Sequence, residues 1–289
     1  MFERIGIIGF VENTRVAETL VRLAQFLDQS GLDFLVEEGT GALTKLDLGS
    51  RACDRAKLGD CCDLIIVVGG DGSMLHAARD LIGSGKPLLG VNRGRLGFLT
   101  DIPPSELEPQ VGEVLRGNFV TSKRFLLHCE LWRGSKMIGQ GIALNDVVLQ
   151  PHTSIRMIEF SLEIDGQYVY TQRSDGLIVA TPTGSTAYAL SGGGPIVHPS
   201  IEAIDIVPIN PHTLSNRPIV VDANSQLTID ISPSNQVEVQ VVCDGQDSMI
   251  SQTGDQVRIR KHDRCVELIH PKAHDFYQTC RTKLNWARE

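Results

Sequence analysis

Residues 67–75 read VVGGDGSML, with Gly69, Gly70, Gly72 and Ser73 crowded around one carboxylate, Asp71. Glycine is the least stabilising choice inside a helix or strand. Three of them between two apolar runs therefore mark a loop whose backbone must come close to something. Such a loop at a helix start can offer backbone N–H groups to phosphate oxygens. A tight turn in which Asp71 caps the following helix has the same sequence signature. A carboxylate beside phosphates is electrostatically awkward unless it handles a proton or a metal ion, which gives Asp71 weight as a chemical group. The chain has no GxxxxGK[ST], and Gly6 and Gly9 do not make a GxGxxG, so neither familiar phosphate loop is present.

A second loop of the same character lies far along the chain: TPTGSTAYALSGGGP, Thr181 to Pro195. Thr183, Ser185, Thr186 and Ser191 offer hydroxyls. Tyr188 offers a flat ring, for stacking on a base or for filling a core. Upstream, QRSDGLIVAT carries Arg173 and Asp175. The arginine suits a phosphate, although a solvated surface arginine looks no different. In LNDVVLQ, Asn145 and Asp146 precede an apolar run. They could read an adenine or ribose edge and accept from a hydroxyl, or simply form a turn at a strand end. A seryl nucleophile is excluded by the lack of GxSxG and of a suitably spaced histidine.

The elements that must position these loops differ between the two halves. Up to about Phe119, short apolar runs (IGIIGF, FLVEE, DLIIVV, PLLGVN) alternate with amphipathic segments. Val16, Leu20, Leu23 and Leu27 share one helical face after Thr14, Ser73 to Ile82 predicts a second helix, and Pro103-Pro104-Ser105 leads into a third ending near Arg116. This alternation predicts a parallel sheet covered by helices, residues 1–119. Period-two alternation then takes over: IEFSLEIDGQYVYTQ with its Asp165-Gly166 turn, then LTIDIS, VEVQVV, QVRIR and CVELI, with turns at Asp244-Gly245 and Gly254-Asp255. The expectation is a mainly antiparallel β domain over 120–270, with residues 271–289 helical or extended and packing back on the first.

With 289 residues, 42% hydrophobic and 21% charged, the chain has an ordinary composition and room for two cores. A net charge of -8 argues against nucleic acid. No apolar run reaches ~18 residues, so no membrane span is expected, and the start lacks a leader's features; the cytoplasm is the expected location. Seven scattered cysteines without a CxxC read as free, mostly buried thiols. His262, Cys265, His270 and His274 lack paired zinc-ligand spacing and read as solvated or hydrogen-bonded.

Taken in order, GGDGS, GRLGFLTD, LNDVVL, SDGLIVATPTGSTAYALSGGGPI and VCDGQ closely resemble the bacterial NAD kinases, from about Ile5 to the KLNW near the end. TPTGSTAY is the most specific of these. GGDGS is shared with diacylglycerol and sphingosine kinases, whose GTxNDxA element is missing here. The resemblance implies transfer of the terminal phosphoryl group of ATP to the 2′-hydroxyl of the adenosine ribose of NAD, giving NADP. It also implies a divalent ion, usually magnesium, and a homodimer or homotetramer. By the same resemblance Asp71 matches the general base and Gly72 its phosphate-side neighbour. Asn145, Asp146, Arg156, Arg173 and Asp175 match dinucleotide contacts. Asp146 stands where the family usually has glutamate. Thr186, Ala187, Tyr188, Ala189, Leu190 and Ser191 match the adenosine-side loop. Gln246 matches a late contact, and Phe98 lines the adenosine pocket. The rival readings are a lipid kinase of the diacylglycerol type, which needs an apolar groove, and a dinucleotide-sensing binding protein, which needs no Asp71.

Overall fold

The computed structural model describes residues 2–9, 14–44, 48–94, 96–153, 156–213 and 215–286. The chain forms two compact units, one made of Met1–Lys123 with Val266–Glu289 and the other of Arg124–Cys265. Both crossings fall inside long strands, so neither is marked by a linker or a change of composition.

The first unit begins with β1 (Arg4–Gly9), α1 (Thr14–Gln29), β2 (Asp33–Glu37), α2 (Glu38–Thr44), β3 (Ala52–Cys53), α3 (Arg55–Cys61), β4 (Leu64–Val68), α4 (Asp71–Leu81), β5 (Leu88–Val91) and α5 (Leu107–Leu115). All strand pairs here are parallel, in the order β5-β4-β1-β2-β3. Every residue of β4 and β5 is buried, as continuous apolar strands covered on both faces should be. The predicted face of α1, Val16, Leu20, Leu23 and Leu27, packs on Ile5, Ile7, Leu64 and Ile66 of the sheet. α4 starts at Asp71, two residues ahead of the expected Ser73, with Gly70 as its N-cap.

The second unit contains β6 (Phe119–Arg133), β7 (Lys136–Ala143), β8 (Asp146–Pro151), β9 (Ile158–Ile164), β10 (Gln167–Ser174), β11 (Gly176–Ala180), the short α6 (Tyr188–Ser191), β12 (Ala203–Ile209), β13 (Ile219–Asp222), β14 (Leu227–Ile231), β15 (Val239–Cys243), β16 (Asp247–Ser251) and most of β17 (Gln256–Pro271). One antiparallel sheet runs β13-β12-β11-β8-β15-β16. In the other, β10-β9-β14-β17 pair in that order and β6 pairs with β7. Inward-facing Leu149, Leu177, Ile204 and Val241 of the first meet Phe160, Leu162, Ile229 and Val257 of the second in one core. The hairpin turns at Asp165-Gly166 and Asp244-Gly245 have positive φ at both residues, the geometry that matches strand twist. The segments expected as two strands, QVRIR and CVELI, are one strand, β17. The intervening KHDR looks like a turn by composition, but it is continuous strand, half-buried at Lys261 and His262 and exposed at Asp263 and Arg264.

β17 carries the chain back to the first unit, where Leu268 and Ile269 pair in parallel with Leu88 and Leu89 of β5. α7 (Phe276–Leu284) follows, its N-terminus capped by the Asp275 carboxylate, which accepts from Tyr277 N and Gln278 N.

Candidate active site

In the first unit Asp71 stands at the carboxyl end of β4, where α/β sheets present ligand sites. Its carboxylate does not cap α4. Oδ2 accepts from Phe98 N at 2.9 Å, and Oδ1 accepts from Leu99 N at 3.0 Å and from Thr100 Oγ1 at 3.3 Å. The stretch 97–100 is thus built around this side chain. A Cβ at Gly97 would collide with Asp71 Oδ1, so only glycine lets that backbone come so close. Lys283 Nζ of α7 lies 3.7 Å from Oδ2 and 5.3 Å from the centre of the Phe98 ring. The Phe98 ring also packs near Phe276, with centroids 6.5 Å apart. Gly72 is exposed in the first turn of α4.

In the second unit the Asn145-Asp146 segment is fixed from two directions. The Asp244 carboxylate accepts from Leu144 N, Asn145 N and Asp146 N at 2.7 to 3.2 Å. From the glycine-rich loop, Thr181 N donates to Asn145 O at 2.8 Å and Thr181 Oγ1 donates to Leu144 O at 2.5 Å. Gly184 lies against the Asn145 carbonyl so closely that a Cβ there would collide with it. Asn145, Asp146, Ala187, Tyr188, Asp244 and Gly245 line one cavity of about 280 Å³. Tyr188 is 44% exposed, which rules out the core-tyrosine reading and leaves its ring open to a ligand. Burial, then the neighbouring Asp244 charge, pushes the Asp146 carboxyl up to about 7. A hydroxyl donating to it would relieve a costly buried anion.

The other expected residues divide as follows. Arg156 and Arg173 line a second cavity of about 580 Å³ with Glu159, Ser234, Asn235 and Gln236, and Arg156 Nη1 donates to Gln236 Oε1. Asp175 accepts from Asn210 Nδ2 at 3.0 Å. The Gln246 backbone N–H closes the Asp244-Gly245 turn onto Cys243 O. Thr186 donates to Thr183 O. Ala189 is buried with Val148, Ile178, Ala180 and Val207, so its side chain serves packing; Leu190 is half-buried and Ser191 exposed. Sequence reasoning missed Asp244, which it saw only as a turn, and Lys283, which lay unremarked in KLNW.

It also missed Asp101, the partner of two of the C-terminal histidines. His270 Nδ1 and His274 Nδ1 lie 3.0 and 2.8 Å from the same Asp101 Oδ2, and the two rings stack with centroids 4.0 Å apart. These three side chains are the described group whose ligand-type atoms lie within 4.8 Å. Both Nδ1 atoms face the one carboxylate oxygen, so Asp101 ties the two rings together. All seven cysteines are unpaired, five of them buried.

Residues 5–119 match the model of the ATP-NAD kinase N-terminal domain, and residues 144–271 match that of the C-terminal domain. The chain belongs to the NAD kinase family. It is 56% identical to the NAD kinase of Chromohalobacter salexigens over 99% of this chain and 97% of that one. It is 55% identical to that of Pseudomonas aeruginosa over 99% and 96%. A yeast NADH kinase crystallised with NADH superposes with a TM-score of 0.87 at 25% identity, over 99% of this chain and 89% of that one. An NAD kinase from Archaeoglobus fulgidus shares the fold, at 24% identity and a TM-score of 0.75, over 96% and 99%. The reaction of this NAD kinase family member is phosphorylation of NAD. The lipid-kinase and sensor readings find no support in these likenesses. Among the described residues no helix is long and apolar enough to cross a membrane.

Proposed function

We propose that the chain transfers the terminal phosphoryl group of ATP to the 2′-hydroxyl of the adenosine ribose of NAD, with Asp71 as the general base. The carrying observation is the fixing of Asp71 by two backbone N–H groups of residues 98 and 99. Those bonds hold the carboxylate in place at the mouth of β4. Oδ2 keeps acceptor capacity for a substrate hydroxyl once Lys283 moves. A hydroxyl is a poor nucleophile until its proton has somewhere to go. The second unit supplies recognition: Tyr188 stacks on adenine, and Asn145 and Asp146 bond to the polar edge of the adenosine.

ATP as donor is supported by the family description of both matched domains. A divalent ion such as magnesium would be held by the triphosphate oxygens and would offset their charge, because magnesium prefers oxygen donors and substrate phosphates. The described Asp101, His270 and His274 group is two-thirds nitrogen and does not suit it. The unpaired cysteines agree with a reducing compartment such as the cytoplasm. A homodimer or homotetramer is supported by exposed Tyr168, Ile201 and Val220 and by the placing of Arg156 and Arg173 around a cavity other than that of Tyr188. Light scattering at micromolar concentration is expected to give at least twice the 31.6 kDa chain mass. A monomer mass would remove that reading.

The activity is tested directly. Purified protein given NAD, ATP and magnesium is expected to make NADP, read with an NADP-specific dehydrogenase. No NADP above a no-enzyme control overturns the proposal.

A further inference from the structure

We infer that Lys283 is a second catalytic residue, a cation that moves from Asp71 to the phosphoryl group in transit. This rests on the reading of Asp71 as the base. Among the described residues Lys283 is the cation paired with that carboxylate. Its ammonium faces Oδ2, the oxygen with one backbone donor, whereas Oδ1 has a backbone donor and the Thr100 hydroxyl. Lys283 therefore occupies the place a substrate hydroxyl must take.

The pair is built to be given up. At 3.7 Å, with the two side chains 32% and 29% exposed, it is loose and well screened. Lysine is a point charge on a four-carbon stem with three rotatable donors. The arriving hydroxyl must come within ~3 Å of Asp71, and the phosphorus it attacks lies roughly 3–3.5 Å beyond. The phosphoryl oxygens thus come within reach of an ammonium that stays anchored at its Cα. That anchor is secure. α7 is capped by Asp275 and buries Thr279 and Cys280. The preceding His270 and His274 are bonded to Asp101 at the end of the loop that holds Asp71. The Phe98 ring under the ammonium offers an attractive face along the way.

In the reaction, the ribose oxygen bonds to the terminal phosphorus, and its proton passes to Asp71. The bond from that phosphorus to the bridging oxygen breaks, and ADP leaves with the electron pair. Lys283 makes no covalent bond. It neutralises charge on the equatorial oxygens, where such transfers gain most.

The test compares Lys283→Ala, Lys283→Arg and Asp71→Asn by kcat, both KM values and melting temperature, with ethylamine added to the alanine variant. Lys283→Ala is expected to lower kcat about a hundredfold, to leave the KM for NAD within about threefold, and to melt as the parent does. Ethylamine is expected to restore turnover in a saturable way, and arginine to retain part of it. Parent-like turnover in Lys283→Ala, or a loss that ethylamine does not repair, overturns the assignment. Retained turnover in Asp71→Asn overturns the base reading instead, so the two failures are told apart.

Discussion

Asp71 was visible in the sequence because three glycines around a carboxylate make no sense inside a regular element. What it holds was not visible, since Phe98, Leu99 and Thr100 lie almost thirty residues away in a loop. That contact changes what substitution does. In Asp71→Asn one oxygen becomes a donor and faces a backbone N–H, which costs about 1–3 kcal/mol. Turnover is expected to fall at least a hundredfold from loss of the base, and the melting temperature is expected to fall as well. Steady-state kinetics beside calorimetry separates the two effects, and near-normal turnover would make the carboxylate purely a loop holder. The role proposed for Tyr188 is in binding. Its half-exposed ring supports stacking, so Tyr188→Ala is expected to lose roughly 1–3 kcal/mol. That raises the KM for NAD about tenfold to a hundredfold with a smaller change in kcat. Unchanged NAD affinity would leave the ring without a role in recognition.

Among the elements, the strands of the parallel sheet were legible because they are short, continuous and apolar. β6 and β7 were not: long runs such as KRFLLHCELWR mix charge with apolar residues, and their exposed edges break the alternation. The same mixing hid the continuity of β17. The sequence left the C-terminal segment open between helix and extension, and gave no sign that His274 within it shares the Asp101 carboxylate with His270. Burial pushes the Asp101 carboxyl up, yet hydrogen bonds and charge from His270 and His274 outweigh it and bring it down to about 2. A carboxylate whose folded pKa lies below its usual 3.8 contributes stability above that value, and the contribution is lost as pH falls toward 2. Asp101→Ala leaves two largely buried imidazole N–H groups without their acceptor. We expect a loss of about 2–3 kcal/mol, with faster amide exchange in residues 276–284 and little change in the second unit. Parent-like exchange in α7 would show that the cluster holds nothing in place.

At the scale of the molecule, two buried carboxyls set an unusual pH response. Asp146 is pushed up to about 7 by burial and the Asp244 charge, and Asp205 is pushed up to about 6 by burial. Both Asp205 oxygens are buried and lack a hydrogen-bond partner among the described residues. A carboxyl with a raised folded pKa keeps a proton that the unfolded chain releases, so its favourable contribution is present at low pH and is lost as pH rises from about 4 to 7. Ligand-free protein is therefore expected to melt at a higher temperature at pH 5 than at pH 8. Asp146→Asn should flatten that slope and raise the pH 8 value. Differential scanning calorimetry across that range checks it, and an unchanged slope in the variant would remove Asp146 as its source. Asp146 was picked out in the sequence as a polar contact and Asp205 was not, but the burial of neither was legible, because nothing local in LNDVVL or AIDIVPI tells how deep a side chain will lie.

The return of β17 to β5 imposes an order on synthesis. Leu88 and Leu89 are made early, but the strand that covers them, Leu268 and Ile269, follows only after all of Arg124–Cys265. At ribosomal speed that interval is roughly ten to thirty seconds. Throughout it the Leu88-Leu89 stretch of β5 waits for its partner strand, although Ile102 already bridges Val91, and an unpaired strand edge is the feature by which chains pair wrongly with one another. The part of synthesis most open to such mispairing is thus its middle, and it closes once β17 is made.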